Sequence, residues 1–182
     1  MPVSPAQVRR YALTLLEVLI ALVLSSLLMI AAVTSLFALL NNLRANDALV
    51  RSRQSAVASV NLMVNKARRA QHITVSASPN TLRTIDSGTY NGSAWTETHW
   101  TQFSLSGQTL NVTSDSNTTA VAVLSNVTTL DFTANAASPA DAKNPNHYVT
   151  ITLTVTQPDS YNPAKKTPFT LSATALVRSS LQ

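Results

Sequence analysis

From Val18 to Leu40 the chain runs 23 residues without a charged side chain, relieved only by Ser25, Ser26, Thr34 and Ser35. At 1.5 Å per residue this run makes a helix about 34 Å long, enough to cross the hydrocarbon core of a bilayer. A secretory signal peptide carries a shorter apolar core, roughly 7–15 residues, ahead of its cleavage site. Here the run leads straight into more helix-forming sequence. The expectation is a retained membrane segment, and everything else in the chain has to be compatible with it.

Glu17 is the anomaly. It follows Leu13, Leu15 and Leu16 and precedes Val18, Leu19 and Ile20. A carboxylate at mid-membrane costs about 2.5–3.5 kcal/mol on insertion scales and less near the interface. Two readings are open. Either Glu17 lies at headgroup level and reaches water, or it has a partner and a task inside the membrane.

The setting of Glu17 bears on that choice: a short polar leader containing Arg9 and Arg10, a small residue at Ala12, then Leu-Thr-Leu-Leu-Glu ahead of the apolar run. This resembles the class III signal of type IV pilins and type II secretion pseudopilins, most closely over Thr14–Leu22. It departs at Ala12, where glycine is usual, and at Leu13, where Phe or Met is usual. The resemblance implies a leader over residues 1–12, cut between Ala12 and Leu13 by a prepilin peptidase on the cytoplasmic side. It further implies N-methylation of the new terminus at Leu13, with Thr14 the second mature residue and Glu17 the fifth. In the family that glutamate is thought to pair with the terminal ammonium of a neighbouring subunit during assembly. Loss of Arg9 and Arg10 lowers the formal net charge from +5 to +3. These two arginines also fit a cytoplasmic N-terminus by the positive-inside rule.

Helical sequence continues past the membrane run. Beyond Asn41 and Asn42, the residues Leu43, Val50, Val57, Val60, Met63, Val64 and Ala67 recur at helical steps, with Arg44, Arg51, Arg53, Asn61 and Lys66 between them. That is an amphipathic stripe. No proline or glycine falls between Pro5 and Pro79, while Pro2 and Pro5 make the start irregular. We therefore expect one helix from about Leu13 to about Ala70, roughly 85 Å long. Residues 13–40 form its membrane and assembly half and 41–71 its amphipathic half. A break at Asn41–Asn42 is the competing pattern.

After Gln71 the period becomes two. His72–Ser76, Thr81–Asp86, His99–Leu105 and Thr109–Thr113 alternate, with turn signals at Ser78-Pro79-Asn80, Asn91-Gly92 and Ser106-Gly107, which reads as strands and turns. A hairpin turning at Ser106–Gly107 is expected. Val121–Leu124 and Val127–Phe132 follow, the latter with Val127, Leu130 and Phe132 inward. Ala134–Asn146, with Pro139 and Pro145, is expected as a loop. Tyr148–Thr156 is the cleanest strand, with Val149, Ile151, Leu153 and Val155 on one face. Gln157–Pro168 is expected as a second loop and Phe169–Val177 as a last strand. Residues 72–182 thus form a soluble β-sheet domain, and the fold class is α+β: a long N-terminal helix on an antiparallel sheet. This is similar to the ladle of pilins, and the C-terminal pieces carry a finer likeness. Leu124, Asn126, Val127, Thr128, Leu130 and Phe132, then Val149–Val155, then Leu176–Ser180 resemble minor subunits, of the J-class pseudopilin or W-class minor pilin kind.

Several functions are disfavoured on composition. Without cysteine there is no thiol catalysis, disulfide or cysteine-based metal site. His72, His99 and His147 are isolated, and neither H-E-x-x-H nor a calcium loop is present. No nucleophile motif such as G-x-S-x-G occurs, so enzyme activity and cofactors are not expected. The sequons at Asn91, Asn111, Asn117 and Asn126 are what chance supplies in so Thr-rich a chain. Trp95, Trp100 and Tyr90 suit a binding patch, core packing or a sheet edge. Three function classes remain. One is a filament subunit whose partners are other pilins or pseudopilins, the prepilin peptidase and the bacterial inner membrane. The second is a single-pass anchored binding protein. The third is a DNA-uptake (competence) pilus component holding DNA through Arg83, Lys143, Lys165 and Lys166. Basic residues are scattered, whereas a nucleic-acid surface wants a basic stripe, so DNA is the least favoured partner.

Overall fold

The computed structural model describes residues 5–77, 80–92, 94–134, 148–158 and 165–177, with the side chains of α1 described from Leu15 onward. Nothing breaks the helical pattern between Ala6 and Ser78, and one uninterrupted helix results, α1 (Pro5–Arg69). It begins eight residues before the expected Leu13. The irregularity expected from Pro5 is absent because proline suits a first helical turn: its φ is already helical and its missing N–H would have had no partner there. Asn41 and Asn42 cause no break. The chain divides into two units, Met1–Asn46 and Asp47–Gln182, with the boundary inside α1.

In the first unit α1 is apolar and uncovered. Leu15, Leu22, Leu28, Met29 and Phe37 are all more than half exposed. Among the described residues one helix is long and apolar enough to cross a membrane. The described hydroxyls of this stretch are satisfied internally. Ser25 Oγ donates to the Leu22 carbonyl at 3.0 Å, Ser26 Oγ to Val23 at 2.7 Å, and Ser35 Oγ to Ala31 at 2.8 Å, while Thr34 Oγ1 reaches Ile30 and Ala31. Such back-bonding is how an apolar helix carries Ser and Thr without orphaned donors.

In the second unit the last turns of α1 face a β core. Ala56, Val60, Met63, Val64 and Ala67 are buried. Leu43, Val50 and Val57 are not: they remain 55%, 47% and 42% exposed. The expected stripe is thus covered only along its last turns. Residues seven apart drift only about 20° around a helix, and Val64, seven after Val57, is buried; Leu43 and Val50 lie on turns before the covered ones and Val57 at their edge. The core side is set by Ala56, Val60, Met63 and Ala67, whose small residues let the strands approach closely.

Among the described residues eight strands follow: β1 (His72–Ala77), β2 (Asn80–Tyr90), β3 (Trp95–Ser106), β4 (Thr109–Ser114), β5 (Val121–Leu124), β6 (Val127–Ala134), β7 (Tyr148–Pro158) and β8 (Lys166–Leu176). All pairings are antiparallel. Instead of one sheet there are two, a five-stranded β1-β2-β3-β4-β5 and a three-stranded β6-β7-β8. The switch comes at Ser125–Asn126, where Asn126 has a φ of 61°. That left-handed conformation, which asparagine tolerates well, turns the chain out of one ladder and into the other. The sheets are stitched by Val127 N–H to the Gln108 carbonyl at 3.0 Å and by Asn80 Nδ2 to the Leu130 carbonyl at 2.9 Å. The core joins Met63 and Ala67 of α1 to Ile73, Leu82, Phe103 and Leu110 of the first sheet, and to Val127, Leu130, Phe132, Ile151 and Leu153 of the second.

Most strand ends are longer than expected, although β8 stops at Leu176, one residue short of the expected Val177. β2 and β3 extend to Tyr90 and back to Trp95, and β8 reaches back to Lys166, so Gln157–Pro158 and Lys166–Pro168 are strand rather than loop. Prolines sit at these ends because a missing N–H is harmless at a strand terminus or on an edge such as β8. The β3–β4 hairpin turns one residue later than expected. Ser106 pairs with Thr109 around Gly107–Gln108, and Gly107 takes a φ of 60°, the position a type II′ turn gives to glycine. The inward residues of β6 and β7 are buried as expected. Their outward neighbours form a hydroxyl ladder: Thr150–Thr174 at 3.0 Å, Thr152–Ser172 at 3.4 Å and Thr154–Thr170 at 3.0 Å. Most of the expected loop Ala134–Asn146, the middle of the second loop, and residues 178–182 lie outside the described residues.

Candidate functional site

The four residues singled out by sequence, Ala12, Leu13, Thr14 and Glu17, all fall within α1. Leu13 and Glu17 are four apart and Thr14 and Glu17 three apart, so helical geometry puts all three on one side within about 6 Å of axial rise. The side chains of Ala12, Leu13 and Thr14 are outside the described residues. Glu17 is exposed. Among the described residues it has no hydrogen-bond or ion-pair partner, in contrast to the self-satisfied Ser and Thr hydroxyls further along.

The Ala12–Leu13 bond lies inside α1, whose first turn contains no acidic residue.

A second polar region occupies the five-stranded sheet. Arg83 on β2 is ion-paired with Glu97 on β3 and lies over the ring of Trp100, its Cζ 4.0 Å from the centroid. His99 Nδ1 and Asp115 Oδ2 are 2.8 Å apart, and Trp100 N–H donates to Asp115 Oδ1 at 3.2 Å. The hydrogen bond with His99 is the main reason the Asp115 carboxyl is held below its usual value; burial opposes it, and the Trp100 amide adds a smaller lowering effect. Trp95 stacks on His72 with centroids 5.3 Å apart, and Tyr90 leans on Trp95 at 5.7 Å. The aromatic trio is thus half-buried and engaged with its own sheet.

Of the residues considered for DNA, Arg83 is already engaged by Glu97 and Trp100. Lys165 and Lys166 are exposed at the start of β8, and Lys143 lies outside the described residues. His72 and His99 make separate contacts, His147 lies outside the described residues, and no group of three or more potential ligands converges among the described residues. What sequence reasoning missed is a bulge at Asp86. Ile85 pairs with Trp100 and Ser87 with His99, so Asp86 is skipped by the ladder, and its Oδ2 meets Lys66 Nζ of α1 at 2.9 Å. Gly88 is the readable signal: a Cβ there would stand 2.7 Å from the Thr96 carbonyl oxygen, so the strand crossing at the bulge requires glycine.

No protein-family model matches the chain, and a search of curated proteins finds no match.

Proposed function

We propose that this chain is a minor pilin or pseudopilin, a non-enzymatic subunit that waits in the inner membrane, is processed between Ala12 and Leu13, and polymerises through its N-terminal helix. The observation that carries the reading is the contrast inside α1. The helix is unbroken from Pro5 to Arg69; from Leu15 to Leu40 it is uncovered and apolar, its Ser and Thr hydroxyls bonded to its own backbone and its one charged group, Glu17, without a partner among the described residues. Its last turns, by contrast, are built into a β core. Sibling helices provide the packing that the uncovered half lacks.

Processing would create an ammonium at Leu13, four residues from Glu17. Pairing that carboxylate with the ammonium of a neighbouring subunit fixes axial register. At membrane depth an unmade charge pair is costly, so wrong staggers are penalised. Within its own chain, Glu17 would sit just beyond the first turn of the trimmed helix, where the dipole favours an anion.

The test is the intact mass and N-terminal residue of the protein purified from cells with an active prepilin peptidase. The expected result is loss of Met1–Ala12 and a methylated Leu13. An unprocessed terminus overturns the reading and leaves an anchored binding protein with an interfacial Glu17. Glu17→Ala is expected to leave membrane insertion intact and to reduce filament incorporation; undiminished incorporation would remove the pairing from the mechanism.

A further inference from the structure

We propose that the cleft at the end of α1 is a docking site for an extended acidic segment of a partner protein. The cleft lies wholly in the second unit and does not depend on N-terminal processing.

It is built from the last turns of α1 and the bulge of β2. One cavity of about 650 Å³ is lined by Asn65, Arg68, Arg69 and Leu176. Another of about 540 Å³ is lined by Leu62, Asn65, Lys66, Arg69 and Asp86. They share Asn65 and Arg69, so the two form a trough on either side of one ridge. A trough of that form suits a chain crossing the ridge better than a single small ion.

The charges define the occupant. Arg51 is paired with Asp47, Lys66 with Asp86 and Arg83 with Glu97. Arg68 and Arg69 have no acidic partner among the described residues. The carbonyl end of the helix favours cations there, yet uses few of the ten N–H donors that two guanidiniums carry. Carboxylates accept such donors in bidentate fashion.

Asp86 distinguishes a peptide from a bare anion. Its Oδ2 takes Lys66, while its Oδ1 is buried without a hydrogen-bond partner. A bare anion meets the Asp86 carboxylate only as a like charge, whereas a main chain brings N–H donors along with its carboxylates. The neighbouring backbone is open as well. β1 pairs with β2 only as far as Ile85, so among the described residues Ser87–Tyr90 has no strand on that side, and an extended segment can continue the ladder there. The Asp86 carboxylate also disfavours the densely spaced phosphates of DNA, for which two unpaired arginines are too few.

The probe is fluorescein-labelled hexaglutamate, titrated by anisotropy against the full chain in neutral detergent at about 150 mM salt. Saturable binding is expected. Arg68→Ala with Arg69→Ala is expected to weaken it at least about tenfold, whereas Arg44→Ala with Arg51→Ala, the same loss of charge elsewhere on α1, is expected to leave it within about twofold. Both arginines are exposed, so an unchanged circular dichroism melt verifies the fold of each variant. Equal weakening in the two double variants, absence of binding by the parent chain, full displacement by equimolar inorganic phosphate, or tighter binding of a duplex DNA oligonucleotide each overturns the proposal.

Discussion

The two ends of α1 obey the same helical propensities and use their apolar residues in opposite ways. Leu15, Leu22, Leu28 and Met29 are 66–72% exposed; Ala56, Met63 and Ala67 are fully buried. Size does not separate the two stretches, since Ala21, Ala31 and Ala32 are exposed in the first and Met63 is fully buried in the second. Polar pattern does. The first stretch is apolar all round, which suits packing against lipid or other helices, whereas the second carries Asn61, Asn65, Arg68 and Arg69 on the exposed side. Where a helix finds its partners is thus written in where its polar residues fall as much as in its apolar spacing.

The sharpest way to break this comparison is to cut large apolar residues from both regions. Phe103→Ala in the sheet core, or Met63→Ala beneath it, is expected to destabilise the β unit by about 2–5 kcal/mol, because each leaves a cavity among fully buried neighbours. Leu28→Ala, equally drastic in volume, is expected to leave the melting of that unit unchanged. Thermal unfolding of the full chain in detergent, followed by tryptophan fluorescence from Trp95 and Trp100, measures both. Equal destabilisation by Leu28→Ala would show that the first stretch is part of the same cooperative core.

Much of this division was legible in the sequence. The membrane run, the unbroken helix and the inward faces of β6 and β7 follow from hydropathy, the absence of proline and glycine, and strict alternation. The errors have physical causes. Seven-residue spacing grouped Leu43, Val50 and Val57 with the core because apolar spacing does not say how far along the helix the sheet reaches: Val64, on nearly the same side, is buried. The division into two sheets turned on Asn126 alone, a single left-handed residue among many asparagines. The bulge at Asp86 breaks the period-two pattern on which strand reading rests, and so the Lys66–Asp86 pair and the cleft beside it were invisible. Of the candidate site, the positions of Leu13, Thr14 and Glu17 on one helical side were readable from spacing; the trough of Arg68 and Arg69 required the tertiary structure.

The bulge sharpens the comparison within the β unit. Gly88→Ala places a Cβ against the Thr96 backbone carbonyl, which has no flexible end to swing away. A loss of about 1–3 kcal/mol is expected, with the outer hairpin of β2 and β3 loosened first. Hydrogen exchange at Thr89, Tyr90 and Thr96 should rise ahead of that at Ile151 and Leu153. Uniform acceleration across both sheets would mean that the bulge is not a local device.

The smallest effect is expected where the two polar contacts of the five-stranded sheet differ in chemistry. Arg83 makes an ion pair with Glu97 and lies over the Trp100 ring, whereas the Asp115 contact rests on a hydrogen-bonded carboxylate. The folded pKa of Asp115 is depressed, chiefly by its hydrogen bond with His99. A depressed carboxylate contributes stability above its unfolded value, about 3.9, and loses it as pH falls through the folded value. Asp115→Asn is therefore expected to lower Tm slightly near neutral pH, with the difference from the parent chain shrinking to nothing in strong acid. The pair is partly solvated, at 65% and 27% side-chain exposure, so the contribution is that of a surface contact and serves to hold the segment after β4 against β3. A Tm difference that persists undiminished below pH 3 would assign the effect to the Trp100 amide contact or to the loop backbone and not to the carboxylate charge.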